Sequence, residues 1–517
     1  MLVHHFLEYY ARNTPDLPCL TLGDETTSYG EVDAMANRIA NGLLALGLTT
    51  GDRVAVLGEN SLEHLLVFMA ASKMGAVTVS LNYRLAPAEL AFIINDANTR
   101  VLVALDGMEE SLAGLREQVA DDIIVLSHGF PDTTDWAPWM NQHPDSRPDS
   151  EPTPQDAYIQ LYTSGTTGNP KGVVSSHFNM LSLVTMNSVA TPHRPNPGMA
   201  TILCAPLFHI GGAGSVAYNI YCGMQTLLHR TFDPARVVSD MEQHPVSNIF
   251  MVPAMIMACL QLPDIEQRDF SQLKQIFYGA SPISETVLRR AIEVFQCDFI
   301  QMYGMTETTG TVVNLSADDH RNALAGRPEL LRSCGRTSAG GQAKVVDLDG
   351  NELPRGEVGE IWLKSDTNMQ SYYNLPEATA ANLTDGWVHT GDAGYMDDEG
   401  YLYLKDRMKD MVVSGGENIY PVEVENALAQ HDAIADVAVI GVPDDKFGEA
   451  LLAFVVLNAE ASLALEEMVD FCRDKIAGYK IPRHLQIVDE LPRNPSGKIL
   501  KKILRQPYWE DSGRGIG

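Results

Sequence analysis

A chain of 517 residues, 45% of them hydrophobic and 20% charged, has enough apolar material for a sizeable core, and at roughly 100–200 residues per domain it allows one large multi-lobed domain plus a smaller one. Its net charge of −30 excludes general nucleic-acid binding and adhesion to anionic membrane surfaces, because long-range fields of like sign oppose association. Cys19, Cys204, Cys222, Cys259, Cys297, Cys334 and Cys472 are scattered singly, with no Cys-x-x-Cys pair, so neither a disulfide framework nor a zinc cluster is expected, and a reducing, cytoplasmic location is. The N-terminal Met1-Leu-Val-His-His-Phe lacks a basic n-region and no stretch reaches about 18 uncharged apolar residues, so no signal peptide and no integral membrane span are expected.

Strand and helix patterns alternate along the chain. Residues 53–58 read as a short buried strand. Ser61 is placed to cap a helix through Leu65, Leu66, Phe68, Met69 and Ser72. An apolar run at 76–81 follows Gly75, a further helix begins at Pro87, a favoured first helical position, and 101–105 is the next strand. This βαβαβ order predicts a largely parallel sheet with helices on both faces. Residues 127–157, with six prolines among Asp, Ser and Thr, read as a long connection or lobe boundary. The rhythm resumes at Tyr158, with strands expected at 201–204, 225–229, 248–252, 275–278 and 298–302. From about 335 the texture turns to that of an antiparallel, barrel-like lobe, with strands at 344–348 and 360–364 around the turn Asp349-Gly350-Asn351. After about 409 a small new α/β unit begins.

The densest chemical signal is Tyr162-Thr163-Ser164-Gly165-Thr166-Thr167-Gly168-Asn-Pro-Lys171-Gly172, directly after an apolar strand. Gly165 and Gly168 let backbone N–H groups curl around an anion, the four hydroxyls add donors and Lys171 adds a cation, so a phosphate is the natural occupant. The spacing differs from a Walker loop, which needs Gly-Lys-Ser/Thr in sequence.

This loop resembles that of the adenylate-forming superfamily, which comprises acyl- and aryl-CoA synthetases, luciferases and nonribosomal adenylation domains; further motifs of the family follow in order over nearly the whole chain. Pro206-Leu-Phe-His209-Ile-Gly211-Gly212 resembles the segment at the acyl pocket, and Gly279-Ala280-Ser281-Pro282 the one against adenine. Tyr303-Gly304-Met305-Thr306-Glu307 resembles the core motif in which Tyr stacks on adenine, Thr touches phosphate and Glu holds magnesium. Thr390-Gly-Asp392 resembles the motif whose Asp binds the ribose hydroxyls, and Arg407 lies near ribose in the hinge motif Asp406-Arg407-Met-Lys409-Asp410. Gly415-Gly416-Glu417 resembles the lining of the pantetheine tunnel, Gly304 and Met305 are expected among the residues of the acyl pocket and thiol channel, and Pro492-Arg-Asn-Pro-Ser-Gly-Lys498 ends in the catalytic lysine. Lys409 stands at the hinge where many relatives have Asp, and Ser281 where Gly or Ala is common.

The resemblance implies a fold of α/β class: a large N-terminal domain of α/β sheets with a small barrel-like lobe, at 1–408, then a small mobile α+β domain at 409–517. It implies an acid–thiol ligase that uses ATP and magnesium to form an acyl-adenylate and then transfers the acyl group to coenzyme A. Lys498, Thr306 and Glu307 are the catalytic set. The small domain is expected to rotate about Lys409 between the steps, withdrawing Lys498 and bringing in Gly415 and Gly416. A homodimer is compatible with this reading.

Two roles stand open for His209, a general base toward the thiol or a wall between pocket and channel, and the wall is favoured. The segments 206–224, 251–262, 278–283 and 301–306 contain no Asp, Glu, Lys or Arg, so an uncharged, hydrophobic acid is expected. Nine basic residues lie between Arg473 and Arg505, opposed nearby in sequence only by Asp474, Asp489 and Glu490; this reads as a positive field for polyanionic co-substrates. An adenylating enzyme that loads a carrier-protein thiol is the alternative, and the uninterrupted small domain with no carrier segment after it favours free coenzyme A. A regulator without catalysis is disfavoured by the joint presence of Lys171, Glu307, Asp392 and Lys498.

Overall fold

The unbroken apolar run at 54–57 has a direct structural consequence. The computed structural model describes residues 1–163, 169–281, 283–407, 410–414, 417–444, 446–473, 475–493 and 499–509. In it the strand Arg53–Leu57 sends Val54 and Val56 into one apolar cluster and Ala55 and Leu57 into another. A strand that buries both faces belongs inside a covered sheet. It runs parallel to Val77–Leu81 on one side and Thr99–Ala104 on the other.

The chain forms two compact units: Met1–Gln342 with Leu363–Val388, and Ala343–Trp362 with His389–Gly517. The first holds two sheets. One has eight strands, in the order Ser371–Tyr372, Lys171–Ser176, Ala157–Thr163, Val77–Leu81, Arg53–Leu57, Thr99–Ala104, Ile124–Ser127, Thr134–Asp135. The other has nine, in the order Arg336–Thr337, Gly310–Leu315, Asp298–Met305, Gln275–Gly279, Val246–Met251, Ala200–Leu203, Gln225–Leu228, Pro18–Leu22, Glu25–Ser28. Pairing is parallel in the interior of each sheet and antiparallel toward the edges that carry the site motifs. One core cluster takes Val54, Val56, Val101 and Val103 from the first sheet and Leu20, Leu203 and Leu228 from the second, with residues of helices Tyr29–Ala45, Leu62–Met74, His177–Ala190 and Ile210–Cys222. Helix Leu62–Met74 is almost wholly buried, which is why it is apolar on all sides. Ser61 caps its start by accepting from the His64 N–H, and Gly75 ends it at φ 82°. Its one lysine, Lys73, is 2% exposed and pairs with Glu8 at 3.0 Å and Asp33 at 2.8 Å.

The expected strands and helices from 53 onward are present, including the start at Pro87. Three N-terminal elements went unread: helix His4–Asn13, the hairpin Pro18–Leu22 with Glu25–Ser28, and helix Tyr29–Ala45. Residues 127–157 are more than a connection. They contain helix Trp136–Asn141, whose Trp136 and Trp139 are buried; Pro138 is tolerated because the first turn of a helix has no internal partner for its N–H groups.

The barrel-like lobe takes form as a sheet of Gln342–Val346, Gly359–Lys364, Trp387–Met396 and Leu383–Thr384, with Leu402–Arg407 antiparallel on Trp387–Met396. The C-terminal sheet orders Glu417–Ile419, Val412–Ser414, Gly448–Leu457 and Ile434–Asp444, with His484–Ile487 parallel to Gly448–Leu457. Val437 and Val439 face one cluster there, and Ala438, Ile440 and Val442 face the other. Among the described residues no helix is long and apolar enough to cross a membrane.

Candidate active site

Thr163 ends one strand and Lys171 begins the next, and the two are register partners across an antiparallel pair. The phosphate-loop residues Ser164, Gly165, Thr166, Thr167 and Gly168 lie outside the described residues, as do Lys409, Gly415, Gly416 and Lys498. The flanks of the loop are anchored by side chains that sequence motifs did not single out. Tyr162 donates its phenol to Asp96 Oδ2 at 2.6 Å and accepts from Gln160 Nε2 at 3.0 Å. Burial first, and then the Asp96 carboxylate, push that phenol well above its ordinary pKa, so it stays a donor. Arg53 donates to Gln160 at 3.3 Å and lies 4.0 Å over the Tyr373 ring. A Cβ at Gly172 would stand 2.7 Å from Gln160 Nε2 and displace that amide.

The core motif occupies the end of strand Asp298–Met305 and the 3₁₀ turn Thr306–Thr308. Thr308 Oγ1 accepts from Met305 N–H at 2.9 Å and donates to Gly310 O at 2.6 Å, which fixes the turn. A Cβ on Gly304 would come within 1.8 Å of Gly310 O, so this position admits no side chain. The adenine-side segment lies alongside through strand pairing, with Tyr278 opposite Gln301 and Gly279 opposite Met302. Ala280 then takes the left-handed conformation at φ 68°, turning the chain toward Ser281.

Glu307 is 7% exposed. Its Oε1 accepts from the Tyr372 hydroxyl at 2.8 Å, and its backbone carbonyl accepts from Met369 N–H at 2.8 Å. Lys171 Nζ stands 4.9 Å from the centre of the Tyr372 ring. One aromatic side chain thus links the cation of the phosphate loop to the carboxylate of the core motif.

His209 precedes helix Ile210–Cys222, and its carbonyl accepts from Gly212 and Ala213 at 3.0 Å. Gly212 leaves no space for a Cβ, which would meet Pro206 O at 2.2 Å; a Cβ on Gly211 would meet Phe250 at 3.0 Å. Gly310, the register partner of Met305, faces Leu183 and Ile210, which brings the pocket segment beside the core motif. The His209 Nε2 is buried with no hydrogen-bond partner among the described residues. Burial, and secondarily the charge of Arg84, lower its pKa to about 4. A base that weak would draw little from a thiol whose pKa is about 8.5. The four apolar segments stay free of formal charge, and Arg84, outside them, is the charge that acts on this histidine.

In the second unit Asp392 and Arg407 are register partners on adjacent antiparallel strands. Thr390 Oγ1 donates to Ile361 O at 2.7 Å and accepts from Asp392 N–H at 3.0 Å, and Gly391 N–H reaches Glu360 at 3.0 Å with φ 67° at Gly391. These bonds fix the corner that presents Asp392.

Among the described residues, five of the nine basic residues of the run at 473–505 are paired with carboxylates. Lys480 pairs with Glu423 at 2.7 Å, Lys501 with Glu425 at 2.8 Å, Arg505 with Asp410 at 3.1 Å and Arg473 with Asp470 at 3.1 Å, while Arg493 meets Asp436. Most of these partners lie 50 or more residues away in sequence, so counting neighbours along the chain overstated the charge.

Comparison with known proteins identifies the family. Residues 7–373 match the AMP-binding enzyme family and residues 423–498 match the AMP-binding enzyme C-terminal domain. A fatty acid–[acyl-carrier-protein] ligase of Streptomyces coeruleorubidus is 36% identical over 513 residues, covering 98% of this chain and 96% of that one. A long-chain-fatty-acid–CoA ligase of Mycobacterium tuberculosis is 35% identical over 501 residues, covering 94% of each. The structure of o-succinylbenzoate CoA synthetase from Bacillus subtilis, in complex with its acyl-adenylate intermediate, superposes with a TM-score of 0.84 at 30% identity, covering 96% of this chain and 97% of that one. The chain belongs to the AMP-binding enzyme family, the adenylate-forming superfamily, and is an ATP-dependent acid–thiol ligase of the acyl-CoA synthetase type.

Proposed function

We propose that this enzyme activates an uncharged, hydrophobic monocarboxylic acid, fatty or aryl, and passes the acyl group to the thiol of coenzyme A. The observation that carries the reading is the placement of Lys171 and Glu307 on either side of Tyr372, beside strands that end in the adenine-side and core motifs. In the first step a carboxylate oxygen attacks the α-phosphorus of ATP, the bond to the β-phosphate oxygen breaks, and diphosphate leaves. In the second the thiolate attacks the acyl carbon and AMP departs with the electron pair. Splitting one hard substitution into two easier ones is the gain.

The first step sets anion against anion, so the site must supply positive charge that is already in place. Lys171 and the loop from Thr163 to Gly168 would cradle the phosphates, Thr306 would donate to the α-phosphate, and Lys498 would approach on the small domain. Tyr303, with Gly279, Ala280 and Ser281, would bracket adenine, and Asp392 and Arg407 would hold ribose. Glu307 suits a hard divalent cation: it is a nearly buried carboxylate, and among the described residues no lysine or arginine forms an ion pair with it. Magnesium, when bound, adds fixed positive charge against the phosphate oxygens. The reading includes a boundary at 408/409, rotation about Lys409, a thiol channel lined by Gly415 and Gly416, a cytoplasmic location and compatibility with a homodimer.

The similarity to the carrier-protein ligase supports a second reading, in which the acceptor is a carrier-protein thiol. Acid-dependent ATP–diphosphate exchange across a panel of acids, followed by addition of coenzyme A or a holo carrier protein, tests both. The expected result is a kcat/KM for a hydrophobic monocarboxylate at least about tenfold above that for a dicarboxylate of similar size, because an unpaired second charge would have to be buried. Thioester should form with coenzyme A. A preference for the dicarboxylate defeats the substrate reading, and turnover with the carrier protein alone defeats the acceptor reading.

A further inference from the structure

Residues 369–373 are stitched to both halves of the nucleotide site. Met369 N–H donates to Glu307 O at 2.8 Å, Gln370 N–H to Val174 O at 2.9 Å, and Tyr373 N–H to Gly172 O at 2.7 Å. Within this segment Ser371 and Tyr372 pair antiparallel with Val174 and Val173, three and two residues beyond Lys171. Tyr372 is 5% exposed and packs with Val173 and Met369. Phenylalanine would satisfy that packing. A buried hydroxyl is worth keeping only when it is bonded, and this one is bonded to the Glu307 carboxylate.

We propose that Tyr372 is a positioning residue of the adenylation half-reaction: its hydroxyl fixes one oxygen of Glu307 so that the carboxylate presents the other to a divalent cation, and its ring face holds Lys171 against the nucleotide phosphates. The inference rests on the assignment of Glu307 as the cation-holding carboxylate. Lys171 at 4.9 Å from the ring centre is within the range where an ammonium is drawn to an aromatic face. Cation and nucleotide would then be held through one rigid side chain, so that loss of the hydroxyl loosens the cation while loss of the ring also loosens the phosphates.

The test uses the full-length enzyme, Mn2+ as the probe and a non-cleavable α,β-methylene ATP analogue. Mn2+ binding is read by the loss of its free electron paramagnetic resonance signal. Tyr372→Phe keeps the ring and removes only the donor. It is expected to weaken Mn2+ binding in the nucleotide complex about tenfold, the scale of one lost charge-assisted hydrogen bond. It should raise the Mg2+ concentration needed for half-maximal diphosphate exchange by a similar factor, with partial recovery at high Mg2+. Tyr372→Leu should in addition raise the KM for ATP. Glu307→Gln is the reference and should abolish the Mn2+ dependence. If Tyr372→Phe binds Mn2+ as the parent does while Glu307→Gln does not bind it, the positioning role is wrong and the assignment of Glu307 stands. If Glu307→Gln itself retains Mn2+ binding and exchange, the underlying assignment falls. Equal loss in exchange and in thioester formation from supplied acyl-adenylate, with no change in Mn2+ affinity, would make Tyr372 merely structural and overturn the proposal.

Discussion

Lys498→Ala is expected to lower diphosphate exchange by at least about a thousandfold, the upper range for removing one preorganised electrostatic donor, while leaving thioester formation from supplied acyl-adenylate close to that of the parent enzyme. In the adenylation pose proposed above, the ammonium stands between the carboxylate and the α-phosphate, so its removal exposes two anions to each other at close range. In the thioester pose it has moved away with the small domain, and there is nothing for the alanine to remove. Neighbouring cations do not replace it, because Lys501 and Arg505 are held by Glu425 and Asp410. Arg493 and Ile499, on either side of the lysine in sequence, form an antiparallel bridge. Gly416→Leu is the complement: a side chain in the proposed thiol channel should spare exchange and obstruct transfer. Measuring both half-reactions in both variants decides the matter. Equal impairment of the two halves by Lys498→Ala would defeat the two-pose reading and make the lysine part of one static site.

The local signals in the sequence carried far. Caps and periodicity placed helix Leu62–Met74 and the strands around it, because these depend on residues a few positions apart. The motif residues were read through their resemblance to the family; in the fold, glycines such as Gly212, Gly279 and Gly304 sit where a Cβ would strike a backbone carbonyl within about 2 Å. Long-range pairing was not legible. Tyr372 looks ordinary in Ser-Tyr-Tyr-Asn, and its partner Glu307 is 65 residues away. Asp96 supports Tyr162 from 66 residues away. The acidic partners of the basic run come from other elements of the second unit, and the cancellation becomes visible only once the chain is folded. Of the first three elements, Pro18–Leu22 is a short strand added at the edge side of a sheet built mostly from residues 200–315, whereas helix Tyr29–Ala45 carries a readable signal, the Ser28–Glu31 capping box.

One further consequence of burial is a steep loss of stability in mild acid. His4, His64, His177, His209 and His320 are held neutral, with pKa values lowered from 6.5 to about 2, 3, 4, 4 and 4, and in each case burial is the largest cause. Their hydrogen bonds suit the neutral ring: Nε2 of His320 stands 2.9 Å from the Tyr278 hydroxyl while Nδ1 meets the Ser316 carbonyl, and Nε2 of His64 meets Ser80. The unfolded chain takes up protons at these sites below about pH 6.5, whereas the folded chain does so only near or below about pH 4. Stability is therefore full above about pH 7 and falls as the pH drops through that window. At about pH 5 each site removes about 2 kcal/mol, and together they remove on the order of 10 kcal/mol, comparable with the whole stability of a typical fold. The net charge of −30 works in the opposite direction, since partial neutralisation in acid relieves self-repulsion; that relief is spread over exposed groups in high dielectric and is the smaller effect. Helix His4–Asn13 should be released first, because His4 lies beside His5 and 6.5 Å from His177 at the chain terminus. Urea midpoints at about pH 8, 6.5 and 5 should fall steadily, and His64→Gln, which can still bond Ser80 but cannot titrate, should flatten the dependence by about 2 kcal/mol between the extremes. An unchanged midpoint at about pH 5, or a His64→Gln variant as acid-sensitive as its parent, would show that the buried histidines find solvent without unfolding the chain.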